Sequence, residues 1–361
     1  MNKSHIQSIQ GVRGIFAFII AYIFHYELLF QSMPVHTPVL EWIFQQIGRL
    51  TFYASDVFFL ISGYFTCKSY EKRIESGEAT FVPYFSSKIK KLYPYLMITV
   101  CINFILERVG LILLGNYPLH GSDGNGVLRY SVRALLMNLL GVQSGWFSEG
   151  DSYAVNGPSW FLSVLFLCYL IHFLLIRMIG NERTRKIVYV LFVTVGIILM
   201  LHPLSLPFLY QVNGRGYTSY FLGVLMYVCL EKVPEKWKKR IVIPVALVMG
   251  VTLFVCATTT IDFMLLMVCV IYPAIVYLAI YDKISQTILG HPILQWLGKL
   301  SLPIYLCNVP IDTGIALANQ QFRLSLDFEN KWVWMGHILI SIMLSWLCCK
   351  FVKIKKSNNL T

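Results

Sequence analysis

Charge is what this sequence has least of: Asp, Glu, Lys and Arg together make up 13% of its 361 residues, against 57% hydrophobic ones. That balance excludes an ordinary soluble surface and places the chain in the membrane class. Acidic residues are the scarcer charge, 18 against 30 basic, but the basic ones fall in clusters between apolar segments. They read as topology signals, so nucleic acid is not expected as a partner. No leader is evident, because the first apolar stretch lacks a small-residue cleavage site; it is expected to stay as the first helix. No internal repeat of 20 to 50 residues and no low-complexity tract occurs. The nine cysteines lie in or beside apolar segments without metal-ligand spacing. They read as small apolar residues, and no metal is expected.

What remains is a succession of apolar runs. A bilayer core takes about 20 apolar residues per helix, and the runs predict ten transmembrane helices near 12–32, 45–68, 90–114, 157–178, 186–203, 215–231, 240–257, 261–281, 301–318 and 332–352. The expected fold is all-α and integral to the membrane, one membrane-embedded domain over 1–361. Residues 127–142 are apolar but short and interrupted by Arg129 and Arg133, which predicts an interfacial or re-entrant helix in the extracytoplasmic loop 115–156. In this ten-helix arrangement 23 of the 30 Lys and Arg fall on one side and 7 on the other. The positive-inside rule then puts both termini in the cytoplasm, in a multi-pass protein of the cytoplasmic membrane.

Ionisable side chains at membrane depth are costly and therefore functional candidates. Arg13 opens the first helix on the cytoplasmic side in Gln10-Gly11-Val12-Arg13-Gly14, and His25 lies about 18 Å further along it at 1.5 Å per residue. Alone, Arg13 could be a snorkelling anchor and His25 a hydrogen-bonded interior histidine. Asp56 precedes a Ser62-Gly63 pair in the second helix, and could equally cap it. Lys88, Lys90 and Lys91 lead into Tyr93-Pro94-Tyr95, a cluster suited to anionic lipid, topology or a phosphate-rich ligand. Trp160 follows Pro158 at the start of the fourth helix. Leu297 to Pro310 carries Tyr305 and Asn308 between two prolines, a loosened backbone of the kind tolerated where it lines a cavity.

At these residues the chain resembles the acyltransferase-3 family of integral membrane acyltransferases. The resemblance rests on Gly-x-Arg-Gly followed by a His, on Asp56 to Gly63 (Asp-x-Phe-Phe-x-x-Ser-Gly), on a basic stretch ending in Tyr-Pro-Tyr, on Trp-Phe-Leu-Ser, and on Leu297 to Leu306 (Leu-Gly-Lys-x-Ser-x-x-Ile-Tyr-Leu). It implies an acyl-coenzyme A donor, most simply acetyl-coenzyme A as co-substrate, reached from the cytoplasm, and a glycan or lipid-linked sugar acceptor. It also implies Arg13 as a catalytic residue that contacts the donor or holds the site's geometry, and His25 as general base. Two departures stand out. Asn308 occupies a position where many members have His, and eleven residues separate Arg13 from His25 where ten are usual. On a regular helix ten would leave the two side chains about 20° apart, and eleven about 120°. Either a π-bulge absorbs the extra residue or the two face different directions.

The expected activity is transfer of an acyl group to a sugar hydroxyl. Arg13, Lys88, Lys90, Lys91 and Tyr95 would hold the donor, and His25 would take the hydroxyl proton. Asp56, Ser62, Trp160, Tyr305 and Asn308 are candidates to orient His25, stabilise the oxyanion or meet the acceptor. The competing readings are a transporter or flippase, in which these polar groups form a substrate or proton path, and a catalytically silent scaffold for glycan assembly.

Overall fold

The computed structural model describes residues 3–31, 37–119, 124–147, 153–259 and 263–358. Residues 120–123 and 148–152 of the expected loop lie outside the described residues. So do both chain ends and the margins of the first and eighth expected helices, at 32 and 261–262.

Among the described residues the protein is helical, without a strand. In chain order, α1 (Lys3–Ile19) runs through a π turn (Ile20–Phe24) into α2 (His25–Phe30). There follow α3 (Pro38–Thr51), α4 (Asp56–Glu75), α5 (Phe81–Leu114), α6 (Gly124–Arg129), α7 (Val132–Leu140), α8 (Trp160–Met178) and α9 (Glu182–Leu201). The chain continues with α10 (Gln211–Glu231), α11 (Glu235–Arg240), α12 (Val242–Thr258), α13 (Met264–Leu266), a second π turn (Met267–Ile271) and α14 (Tyr272–Tyr281). Last come α15 (Lys283–Leu289), α16 (Pro292–Phe322) and α17 (Lys331–Asn358).

Among the described residues, eight helical segments are long and apolar enough to cross a bilayer. The two other expected spans correspond to α4 and α10, of 20 and 21 residues. At 1.5 Å per residue both reach about 30 Å, the thickness of a bilayer core. They fall short in apolarity: α4 carries Asp56, Lys68, Glu71, Lys72 and Arg73, and α10 carries Asn213, Arg215, Thr218 and Ser219. Both are largely buried in protein, where polar side chains find partners that lipid would not offer. The expected helix 45–68 is broken: the chain turns at 52–55 and α4 starts at Asp56. Across 127–142 the structure places the short helices α6 and α7. At nine residues α7 is about 14 Å long, under half a bilayer core.

The chain divides into two compact units, one of residues 1–16, 52–88 and 164–299, the other of 17–51, 89–163 and 300–361. In the first, small residues let backbones meet. A Cβ on Gly63 of α4 would collide with the Tyr220 carbonyl, and one on Gly223 of α10 with the Leu60 carbonyl, the close approach that helix pairs in membranes rely on. Gly14 and Gly298 interlock likewise, each with its Cβ position filled by the other segment's backbone. The glycine of the first motif is thus matched to the glycine of the last.

In the second unit, Thr99, Asn103 and Glu107 fall on one face of α5 by their spacing of four. Asn156 Nδ2 donates to Thr99 Oγ1 at 2.9 Å and to the Leu306 carbonyl at 3.1 Å. Asn103 donates to the Val155 carbonyl at 2.5 Å. These bonds hold Val155 at φ +56°, a conformation unfavourable for a β-branched residue. Ser163, the serine of Trp-Phe-Leu-Ser, accepts from the Ser144 amide at 3.2 Å and donates to its carbonyl at 2.7 Å. That motif therefore pins the turn at 143–146 onto α8.

Candidate active site

His25 begins α2 at the end of the π turn. A π turn closes hydrogen bonds from residue i to i+5 and so takes up one residue more than an α turn; here the His25 amide bonds the Ile20 carbonyl. That extra residue cancels the eleven-residue spacing, and along this helix Arg13 and His25 return to about 20° of each other in phase. A π turn also loosens carbonyls, and two side chains from elsewhere in the unit take them. Asn308 Nδ2 donates to the Ala21 carbonyl at 3.2 Å, and Trp334 Nε1 to the Tyr22 carbonyl at 2.8 Å.

Asn308 of α16 also meets the catalytic candidate itself. Its Oδ1 lies 2.7 Å from His25 Nδ1. A carbonyl can only accept, so the Ala21 contact fixes Nδ2 on that side of the amide and leaves Oδ1 facing the ring. His25 Nδ1 must then carry the proton. Nε2 is left as the basic nitrogen, without a hydrogen-bond partner among the described residues and not sealed in the interior. Tyr305 lies beside this ring at 6.3 Å between centroids and against Phe161 at 6.0 Å. Trp160 is buried next to Phe161. Tyr95 is half-buried and donates to Cys349 Sγ at 3.6 Å, and Lys90 and Lys91 are exposed.

The other unit holds Arg13, Ser62 and Lys88. Arg13 is half-buried on α1 with no hydrogen-bond or ion-pair partner in the described residues; it and Ser62 lie beside Tyr169. Lys88 donates to Thr66 Oγ1 at 3.0 Å and sits over the rings of Tyr70, Tyr169 and Tyr84 at 4.5, 5.0 and 5.7 Å. This is a cation held by an aromatic cage, unlike its two exposed neighbours on α5.

An acyltransferase domain of the acyltransferase-3 family matches residues 6–350. The chain belongs to the acyltransferase-3 family. It is an acyltransferase, and a multi-pass membrane protein. No curated protein and no solved structure matches it.

For this acyltransferase the structure reassigns two candidates. Asp56 is engaged by Arg215 of α10, whose Nε lies 3.2 Å from Oδ2 and 3.3 Å from Oδ1, with Arg215 Nη2 also donating to Ser55 Oγ at 2.8 Å. The aspartate is neither a helix cap nor the group that orients His25; it clasps α4 to α10 in a buried ion pair. The side chain that meets His25 is instead Asn308, through Oδ1 to Nδ1, with Nδ2 bound to the Ala21 carbonyl. Arg215, one of the seven basic residues on the outer side of the charge count, is thus a pairing group on α10. Cys67, read in the sequence with the other cysteines as a small apolar residue, has its thiol 2.5 Å from Glu71 Oε2, and a ligand atom of each of Cys67, Glu71 and His172 falls within 4.8 Å of the others. Glu71 is already neutralised there, by Arg185 at 3.1 Å. The signal that could have found these groups is helical spacing: Cys67 and Glu71, like Asn308 and Asp312, are four apart.

Proposed function

We propose that this acyltransferase moves an acetyl group from acetyl-coenzyme A to a hydroxyl of a cell-surface polysaccharide or its lipid-linked sugar precursor, within the cytoplasmic membrane. The observation that carries the reading is the His25 ring. One nitrogen is tied to Asn308 at 2.7 Å and the other is left free, the arrangement a general base needs.

In the reaction, Nε2 of neutral His25 takes the proton of the acceptor hydroxyl as its oxygen attacks the thioester carbonyl carbon. The tetrahedral oxyanion collapses, the carbon–sulfur bond breaks, and the departing thiolate recovers the proton from the imidazolium. The products are an acetyl ester and coenzyme A. Asn308 holds the ring's tautomer, and Tyr305 beside it is the candidate to meet the oxyanion. Arg13, an unpaired guanidinium with five donors in a fixed fork, receives an anionic or carbonyl oxygen of the donor. Exposed Lys90 and Lys91 attract the nucleotide phosphates, with caged Lys88 and Tyr95 shaping that end. Ser62 and Trp160 are reserved for the acceptor. The same proposal includes ten spans, with α4 and α10 among them, and cytoplasmic termini, a topology in which the lysines lie on the donor's side.

The test is chromatographic detection of coenzyme A release from acetyl-coenzyme A by the purified protein in detergent, with and without a sugar acceptor. Release stimulated by acceptor supports the reading, and none above buffer contradicts it.

A further inference from the structure

Asp312 and His337 form a second polar pair in the unit that contains His25. His337 Nε2 of α17 lies 2.5 Å from Asp312 Oδ1 of α16, and the residues are 4% and 0% exposed, so both are closed off from solvent. Asp312 stands one turn beyond Asn308 on the same helix face and interacts with its amide. The elements that carry His25 also cover this pair: Tyr22 of the π turn and Tyr26 of α2 contact the His337 ring at 5.9 and 5.2 Å. Tyr22 is fixed in turn by Ser341 at 3.0 Å.

A pair of this kind is expensive. Well-packed apolar residues of the same volume usually serve stability as well or better than a buried ion pair, and ionisable groups inside a membrane protein mark function by default. Asp312 Oδ2 and His337 Nδ1 add to the cost, since both are buried without a hydrogen-bond partner among the described residues. The acid–base steps at His25 make no direct use of either residue.

We propose that Asp312, held in place by His337, is a positioning residue for His25 and acts through Asn308. The inference rests on the proposed general-base role. Asp312 keeps the donor side of the Asn308 amide turned towards itself and Ala21, so that Oδ1 faces the His25 Nδ1–H. Ionised, it would favour the imidazolium that exists between removal of the acceptor proton and its return to the leaving thiolate. An amide cannot relay a proton, so none passes along the chain. The proton stays on His25 Nε2, and the contribution of Asp312 is orientation and field.

The test compares Asp312→Asn, Asp312→Glu, His337→Gln and the double variant Asp312→Leu/His337→Leu, each purified and shown monodisperse, by kcat and by KM for acetyl-coenzyme A. The double variant removes both partners together and guards against a simple loss of fold. Asp312→Asn and the double variant are expected to lose kcat by about 10-fold or more with KM within about twofold, as for an interaction made only in the transition state. Asp312→Glu is expected to recover most of the loss, and His337→Gln to fall between. If folded Asp312→Asn or the double variant keeps kcat within about threefold of the parent while His25→Ala is inactive, the positioning role is overturned and the general base stands. A parent protein without transferase activity overturns both.

Discussion

His25 and Asn308 face each other from residues 283 apart in the chain, with 2.7 Å between Nδ1 and Oδ1. The same amide donates to the Ala21 carbonyl of the π turn that precedes the ring. One side chain therefore secures both the backbone irregularity and the tautomer it presents. Asn308→Ala removes both bonds. At about 0.5 to 1.5 kcal/mol for a net hydrogen bond, kcat is expected to fall by about tenfold, with a small drop in thermal midpoint. Steady-state kinetics and a detergent-phase melt measure the two.

The π turn has its own consequence. Inserting one alanine into α1 between Arg13 and Ile20 rotates the two side chains by a further 100° or so. Activity should be abolished while the variant still inserts in the membrane. Deleting Ile23 removes the extra residue at the turn itself, and leaves the phase near its present value. Transfer assays on the two variants distinguish them: the insertion should be the more damaging by at least tenfold or so, since misplacement of a catalytic group by about 1 Å already costs about 100-fold.

The Asp56 and Arg215 clasp predicts a stability effect in place of a catalytic one. Leaving one member of a buried pair alone costs about 3 to 5 kcal/mol, so Asp56→Asn or Arg215→Met should each lower the thermal midpoint strongly. The double replacement Asp56→Leu/Arg215→Met should recover much of the loss. A double variant no more stable than the worse single one would contradict the assignment. Specific activity of the folded fraction is expected to stay close to the parent.

Topology is testable at Ser76, an exposed position just past the end of α4. With the native cysteines replaced, Ser76→Cys should resist a membrane-impermeant thiol reagent in intact cells and react after permeabilisation. Labelling in intact cells would reverse the orientation and remove donor entry from the cytoplasm.

Much of this architecture was legible in the sequence because lipid demands uninterrupted apolar runs, and the helices around His25, Tyr305 and Trp334 are such runs. The alternatives for the Arg13 to His25 spacing were legible too, since residue counting fixes helix phase; choosing between them required the backbone. What stayed hidden was pairing over long separations. Arg215 is 159 residues from Asp56, and nothing local in Asn213-Gly214-Arg215-Gly216 announces that its partner is an aspartate on α4. The break at 52–55 was hidden as well, because Phe52, Tyr53 and Ala54 are as apolar as a helix interior. Asp312 and His337 were legible as ionisable residues inside the expected helices 301–318 and 332–352; their pairing, across 25 residues, was not.

The account turns on His25 as the general base. The most direct measurement is the rate of acetyl transfer by purified His25→Ala at saturating acetyl-coenzyme A, alongside donor binding by the same preparation. A positioned base contributes about 10²- to 10⁴-fold, so transfer should fall by that order while donor binding and elution as a folded species are unchanged. Transfer within about threefold of the parent would contradict the central claim.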